Sequence, residues 1–321
     1  MLKRSLLAAL TLMAPAAASA TQIVIDYTYA SDFFSQATDN GRAARATVEA
    51  VADRYSDLLG DTLSPIRTPE PFVGERASVT WAWHADFINP SGPGEIRLDD
   101  LTIAADEYRL YVGAQPLPGD SAGRGGSGGW GATTTPSSLL FSLEEFEAFE
   151  MIDLAFFDAV TTRGQAVGEY SGWGGSLSFD SDRAWSLDHT APPLAGTADL
   201  YSVALHEIGH TLGFGSSAVW QTFVSPAYFL GEASKAANGG EAPPLDAIGL
   251  HWAEGTTSRV WGGSASQEAA YAPSLDLGER KQLTELDVAG LEDLGWAIVP
   301  EPAGLGVVLT AASVLFARRR R

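Results

Sequence analysis

The chain has 321 residues, 45% of them apolar, which is enough for one large domain or two small ones with a sizeable core. Its 40 acidic and 20 basic residues give a formal net charge of −20, and such a field repels nucleic acid and anionic lipid. There are no cysteines, so disulfides and thiolate chemistry are excluded. Metal ligands, if any, must be His, Asp or Glu.

The first twenty residues have the order of a secretory signal peptide. Lys3-Arg4 precedes an apolar run from Leu6 to Met13, and Ala18-Ser19-Ala20 forms a small-residue cleavage site. We therefore predict export of the protein, with a signal peptide over residues 1–20 and a folded domain over residues 21–298.

The first half of the domain is predicted to contain strands and one helix. Alternation over Ile23 to Tyr29 predicts a strand, and apolar residues at helical spacing over Ala43 to Leu59 predict an amphipathic helix. β-branched and aromatic residues predict strands over Ser78 to Ile88 and Leu101 to Gly113. The Gly-, Ser- and Pro-rich stretch Gln115 to Ser138 is predicted to be a long loop near the active site, with a structural or substrate-contacting role.

The second half is predicted to contain helices and a further strand. Leu139 to Val160 predicts a helix, and Gly174 to Asp180 predicts a strand that runs into a turn. Leu283 to Trp296 predicts a last amphipathic helix capped by Thr284. The aromatic residues of the first of these helices are predicted to belong to the core: Phe141, Phe146, Phe149, Phe156 and Phe157.

The most informative motif is His206-Glu207-Ile208-Gly209-His210. It lies in an apolar segment with a helix cap at Asp199 and a natural stop at Gly213. On a helix, two histidines four residues apart stand on the same face, which is the separation that Zn²⁺ needs from two nitrogen ligands. Glu207 would lie beside the metal, where it can take a proton from zinc-bound water.

The C-terminus carries a second targeting pattern. Pro300-Glu301-Pro302 is followed by an apolar run from Ala303 to Ala317 and by four arginines. The run is short for a spanning helix, but the basic end would hold it with its terminus in the cytoplasm. Residues 299–321 resemble the PEP-CTERM sorting signal of Gram-negative bacteria. The resemblance implies transient insertion in the inner membrane, processing by an exosortase, and delivery to the cell surface or extracellular matrix.

The segment from His206 to Phe214 resembles the zinc helix of the metzincin metallopeptidases, whose pattern is HExxHxxGxxH. The run that contains Phe179-Asp180 and Trp185 is similar to the matrixin branch, and Leu283 to Trp296 is similar to the metzincin C-terminal helix. The resemblance implies an α+β fold, in which a mixed twisted sheet packs with an active-site helix and a C-terminal helix. It also implies one catalytic zinc ion.

Three features depart from the family pattern: the third histidine, the Met, and the matrixin structural-zinc and calcium positions. Ser216 stands where the metzincin third histidine would be, and no Met occurs in Ala270-Tyr271-Ala272-Pro273, the plausible position of the Met beneath the zinc. Ser178 replaces the histidine of the matrixin structural zinc site. Of the matrixin calcium carboxylates only Asp180 remains, since Arg183 occupies the other position. Asp180 and Asp182 could still share a Ca²⁺ ion, so a calcium site stays an open alternative.

A third zinc ligand is still required, because two histidines hold the metal weakly. The candidates are His251, Glu232 and Asp246. By resemblance to leishmanolysin-like metzincins, whose third histidine follows a long insertion, His251 is favoured. Glu232 is the rival, because glutamate-liganded zinc peptidases place their third ligand on a following helix. The two other histidines of the exported chain, His84 and His189, are predicted to be structural.

These residues predict a secreted zinc-dependent endopeptidase that hydrolyses peptide bonds of a peptide or protein substrate with metal-activated water. His206, His210 and His251 would bind the zinc, and Glu207 would be the general base. Tyr271 is a candidate assisting donor. Two alternatives stay open: a catalytically silent zinc-binding surface or matrix protein of the same fold, and a zinc hydrolase of non-peptide amides.

Overall fold

The structure is a computed structural model that describes residues 21–300. The predicted signal peptide lies outside the described residues, as does nearly all of the predicted sorting tail. Within the described part of the chain, no helix is both long and apolar enough to cross a bilayer.

In the described part of the chain, the two largest sheets have four strands each. Their strands are, in chain order, β1 (Gln22–Asp26), β2 (Phe72–Val73), β3 (Ser78–Ile88), β4 (Glu95–Asp99), β5 (Glu107–Gln115), β6 (Gly123–Ser127), β7 (Gly129–Pro136) and β8 (Gly174–Asp180). In the first sheet the order is β1-β5-β8-β6, with β6 antiparallel at the edge and the other three strands parallel. In the second sheet, β3 pairs antiparallel with β2, β4 and β7.

Within residues 21–300, six α-helices accompany the sheets. They are α1 (Asp39–Leu58), α2 (Leu143–Thr161), α3 (Leu200–Thr211), α4 (Ala218–Phe223), α5 (Glu232–Ala237) and α6 (Glu285–Asp293). Short two-stranded pairs join Trp185–Ser186 with Ala198–Asp199, Val224–Ser225 with Tyr228–Phe229, and Thr257–Arg259 with Ser266–Glu268. A 3₁₀ turn, Asp32–Phe34, precedes α1.

The main core lies between the first sheet and helices α1, α3 and α6. Strand β8 is buried at all seven positions, as expected of an interior strand covered on both faces. Helix α1 presents Val48, Val51 and Tyr55 to this core. It begins at Asp39, earlier than predicted, because the Thr38 side chain accepts a hydrogen bond from Gly41 N and so caps it.

A second core lies between the second sheet and α2. It contains Trp81, Trp83 and Phe87 of β3 together with Phe156 of α2. The prediction that all five phenylalanines of the α2 region belong to the core was wrong for Phe146, which is 43% exposed. Helix α2 packs on the second sheet with one face only, so the apolar residues on its other face, such as Phe146, stay in contact with solvent.

The prediction of a long loop over Gln115 to Ser138 was also wrong, since β6 and β7 lie within this segment. Glycine weakens a strand because it loses much backbone entropy and offers no side chain to pack, which is why the composition favoured a loop. The segment is ordered by long-range pairing instead. Residues of β6 pair with β8 and those of β7 pair with β3.

Candidate functional site

Helix α3 presents the two histidines of the motif to one cavity. The Asp199 side chain accepts from Ser202 N and caps the helix, a contact that stabilises a helix by about 1 kcal/mol. The helix ends at Thr211, and Gly213 just beyond it has a φ of +96°, which only glycine adopts readily. The Nε2 atoms of His206 and His210 lie 3.0 Å apart.

His251 completes the cluster from 41 residues further along the chain. Its Nε2 lies 3.1 Å from Nε2 of His210. A tight loop positions this ring: Leu250 N donates to Asp246 Oδ1, and Asp246 N donates to the His251 carbonyl. Within residues 21–300, His206, His210 and His251 form the one group of three or more such side chains whose ligand atoms lie close enough to hold an ion.

The outer nitrogen of each ring is held by an acceptor. His206 Nδ1 donates to the Ala270 carbonyl at 2.8 Å, and His210 Nδ1 donates to the Phe214 carbonyl at 2.9 Å. His251 Nδ1 donates to Asp246 Oδ2 at 2.8 Å. Because these acceptors carry no proton, each Nδ1 must carry one, and each neutral ring then turns an Nε2 lone pair inwards.

Three converging lone pairs repel one another unless a cation lies between them. The nitrogen donors and their spacing suit Zn²⁺, which binds imidazole nitrogen at about 2.0–2.1 Å and prefers tetrahedral sites. Burial lowers the pKa of His210 to about 4 and holds the pKa of His206 well below its ordinary value, with the neighbouring histidines acting in the same direction on His206. At neutral pH both rings are therefore in the neutral form that binds metal.

Glu207 lines the same cavity and is 7% exposed. Burial raises its pKa to about 7, opposed in part by the backbone N–H of Gly125 and by the charge of Arg124. A pKa near the working pH suits a group that must both accept and return a proton.

Strand β6 forms one wall of the cavity and packs directly on α3. A Cβ at Gly123 would lie 2.8 Å from the Glu207 side chain, and one at Gly125 would overlap the Glu207 backbone. Only glycine permits this approach. The glycine-rich sequence was predicted to lie near the site, but its role as the wall of the cleft was not.

The cavity has a volume of about 670 Å³. It is bounded by β6, by α3 with its two histidines and Glu207, and by the chain from Leu250 to Lys281. Its size is that of a site for a small ligand or a few residues of a peptide.

A tight turn lies beneath α3, where Ala272 N donates to the Ala269 carbonyl. The ring of Tyr271 fills the space under Gly209, and its hydroxyl lies 2.6 Å from the hydroxyl of Tyr55. Tyr271 is completely buried and does not line the cavity. The structure therefore places this candidate donor beneath α3 and outside the cavity.

Asp287 of α6 connects this turn to the loop of His251. Its carboxylate accepts from the backbone N–H groups of Ala270 and Tyr271, from Trp252 Nε1, and from both the N–H and the hydroxyl of Thr284. The Ala270 carbonyl is the acceptor for His206, and Trp252 follows His251. The sequence predicted the Thr284 cap, but nothing in it indicated that a fully buried carboxylate supports two of the three rings.

The rival ligands lie elsewhere or act indirectly. Glu232 is exposed at the start of α5, where it pairs with Lys235 at 2.9 Å. Asp246 binds the outer nitrogen of His251 and so would support a ligand without touching the metal. Ser216 donates to the His210 carbonyl at 2.9 Å.

The remaining polar candidates form local contacts. Asp180 accepts from the N–H groups of Leu117 and Asp182 and pairs with Arg183, so its carboxylate is engaged in a turn. His84 pairs with Asp86 at 3.1 Å. The ring of His189 lies 3.3 Å from the Thr47 hydroxyl.

Comparison with known proteins gives a partial match that includes α3. The Matrixin family of peptidases matches residues 145–238. Matrix metalloproteinase-2 of Drosophila melanogaster is 35% identical over 91 residues, which are 28% of this chain and 11% of that protein. Metalloendoproteinase 1 of Glycine max is 44% identical over 55 residues, which are 16% of this chain and 18% of that protein.

The matched segments thus span less than a fifth of these relatives, and no solved structure matches the chain. The matches support a metzincin-like zinc metallopeptidase, and the predicted α+β metzincin-like fold is confirmed. His251 lies beyond the matched segment of the Matrixin family.

Proposed function

We propose that this protein is a zinc-dependent endopeptidase in which His206, His210 and His251 bind the metal and Glu207 is the general base. The observation that carries the proposal is the convergence of three Nε2 lone pairs beside a buried carboxylate in an open cleft. A purely structural zinc site is closed by four protein ligands and needs no such carboxylate.

Bound zinc would lower the pKa of a water molecule and polarise a peptide carbonyl. Glu207 would accept the proton of the attacking water and then donate it to the leaving amine, so that one side chain serves as base and as acid. Its burial beside β6 keeps bulk water from competing for this proton.

The substrate is proposed to be an extended peptide or an unfolded segment of a protein. Strand β6 is the edge of its sheet and lines the cavity. The outer edge of such a strand can hydrogen-bond to a peptide as an added strand. A peptide bound there would pass directly over Glu207 and the three histidines.

The proposed location is the cell surface or extracellular matrix, reached through the signal peptide and the PEP-CTERM-like tail. An exosortase-type enzyme would remove the tail after transient membrane insertion. Cell fractionation of a producing strain, with and without its exosortase, tests this part of the proposal separately from the chemistry.

The chemistry is tested by measuring zinc content and casein cleavage of the purified 321-residue chain, with and without 1,10-phenanthroline. We expect about one zinc ion per chain and cleavage that the chelator abolishes and added zinc restores. Zinc binding without cleavage of any protein or peptide would instead support the silent binding protein. Failure to bind zinc after reconstitution would contradict both.

A further inference from the structure

One cation of the cleft, Arg124, is held by no salt bridge among the described residues. Arg124 on β6 is exposed and lines the cavity beside Glu207. Among the described residues its guanidinium forms neither a salt bridge nor a hydrogen bond, and its charge acts on the Glu207 carboxylate only from a longer distance, where it favours the ionised form. The other cations that line the cavity are compensated, since Lys281 binds Glu268 at 2.7 Å and Arg183 pairs with Asp180 at 3.7 Å.

The geometry of β6 leaves Arg124 as the one side chain that its first four residues offer to a ligand. Gly123 and Gly125 face α3, and Gly126 also has no side chain. Because side chains alternate along a strand, the Arg124 side chain leaves β6 on the face away from α3, where it also lines a small pocket with Ile88 and Ser176. The side chain is exposed at the edge of the sheet and borders the main cavity as well.

We infer that Arg124 is a specificity-determining residue that selects an acidic side chain, Asp or Glu, at one position of a peptide substrate. This inference rests on the proposed peptidase function. A peptide paired with the outer edge of β6 would place every second side chain on the face of Arg124, at the distance at which cross-strand pairs of opposite charge attract. The selected position would be close to the scissile bond, because Arg124 lines the same cavity as Glu207 and stands between Gly123 and Gly125, which pack against Glu207.

The charge of the whole molecule makes this local cation informative. With a net charge of −20, the protein repels acidic peptides at long range. An arginine at the cleft that no salt bridge holds would therefore attract only an acidic residue that lies directly beside it. Guanidinium also binds carboxylates in a two-pronged geometry that lysine does not offer.

The test compares peptides that differ at a single position. A peptide that the wild-type 321-residue chain cleaves is synthesised with Glu, Gln or Lys at each position flanking the scissile bond in turn, and kcat/KM is measured for each. We expect one position at which Glu exceeds Gln by about fivefold, the size of an exposed pair of opposite charges. Arg124→Gln should abolish this ratio, and Arg124→Glu should reverse it in favour of Lys.

Arg97→Gln is the matched control, because Arg97 is an exposed arginine on β4 that does not line the cavity and pairs with Asp99. It should leave the Glu-to-Gln ratio unchanged. A ratio near one at every position in the wild type, or a ratio retained in Arg124→Gln, would overturn the inference. If Arg124→Gln lowers kcat/KM equally for the Glu and Gln peptides, Arg124 acts on Glu207 and not on the substrate, and this result would overturn the inference as well. If the zinc-loaded wild type cleaves no peptide, the proposed function fails and the inference fails with it.

Discussion

The two walls of the cleft are built in opposite ways. The strand wall, β6, approaches α3 through glycines and carries one charged side chain, the exposed Arg124. The ligand wall, from Leu250 to Asp287, is tied together by buried side chains: Asp287 accepts five hydrogen bonds, and Lys281 donates to Glu268 and to the carbonyls of Ala269 and Ser274.

The difference follows from what each wall must do. Metal ligands must keep their positions within fractions of an ångström, so the wall that supplies His251 and the acceptor for His206 is held by many polar contacts. A wall that receives peptides of varying sequence must instead offer a free backbone edge. Substitutions in each wall separate these two roles.

The largest expected effect is that of Glu207→Gln, at the junction of the two walls. The amide keeps the shape of the side chain but cannot accept the proton of water, so turnover should fall by about three orders of magnitude. Zinc content and thermal stability, measured by metal analysis and calorimetry, should stay at wild-type values. Cleavage near the wild-type rate would show that Glu207 is structural.

The second effect concerns the metal and the ligand wall alone. His251→Ala removes one of three ligands and should weaken zinc binding by more than about 100-fold in a competitive chelator titration. Asp246→Ala removes only the support of that ligand and should cost about 10- to 100-fold. Glu232→Ala, at an exposed position, is the control and should change nothing. An empty site in Glu232→Ala with a full site in His251→Ala would replace the metzincin-like ligand set by a glutamate-liganded one.

The residues of this site also show what the sequence can and cannot predict. His206, Glu207 and His210 lie within one helical turn, so a local pattern with a cap and a stop was enough to predict their helix. His251 was favoured through resemblance and the small number of histidines. Its approach to the cluster depends on Asp246 and on long-range contacts that have no local signal.

The strand wall was predicted incorrectly for a related reason. Glycine in Gly123 to Ser127 lowers the intrinsic preference for a strand, and the pairing with β8 that orders the segment comes from about fifty residues further along the chain. These glycines allow α3 to pack closely against β6, and this contact belongs to the tertiary structure and has no signal in the local sequence. Sequence composition alone therefore indicated a loop where the fold has a strand packed closely on α3.

A smaller effect, on stability, is expected from Asp287→Asn. The amide nitrogen would face N–H donors, so part of a fully satisfied buried network is lost, at a cost of about 3 kcal/mol. The melting temperature measured by calorimetry should then fall by roughly 6–10 °C. Because Ala270, whose carbonyl holds His206, would shift as well, zinc binding should also weaken.

The control for this change lies on the same helix. Asp293 accepts from the backbone N–H groups of Ala233 and Ser234 at the start of α5, away from the cleft. Asp293→Asn should cost about 1 kcal/mol, as expected for a weakened helix cap, and leave zinc affinity unchanged. Equal losses of zinc affinity in both variants would mean that Asp287 supports the fold in general and not the ligand wall.

The smallest effect is expected from removal of residues 301–321. The described fold closes just before this point, because Val299 N donates to the Leu58 carbonyl and Gly60 N donates to the Ala297 carbonyl. Both walls of the cleft lie within the residues that remain. The truncated protein should therefore keep its melting temperature, its zinc and its casein cleavage, while its distribution between membrane and medium changes. Loss of zinc or of cleavage in the purified truncated protein would mean that the tail contributes to the ligand wall, and that the domain boundary lies further along the chain than predicted.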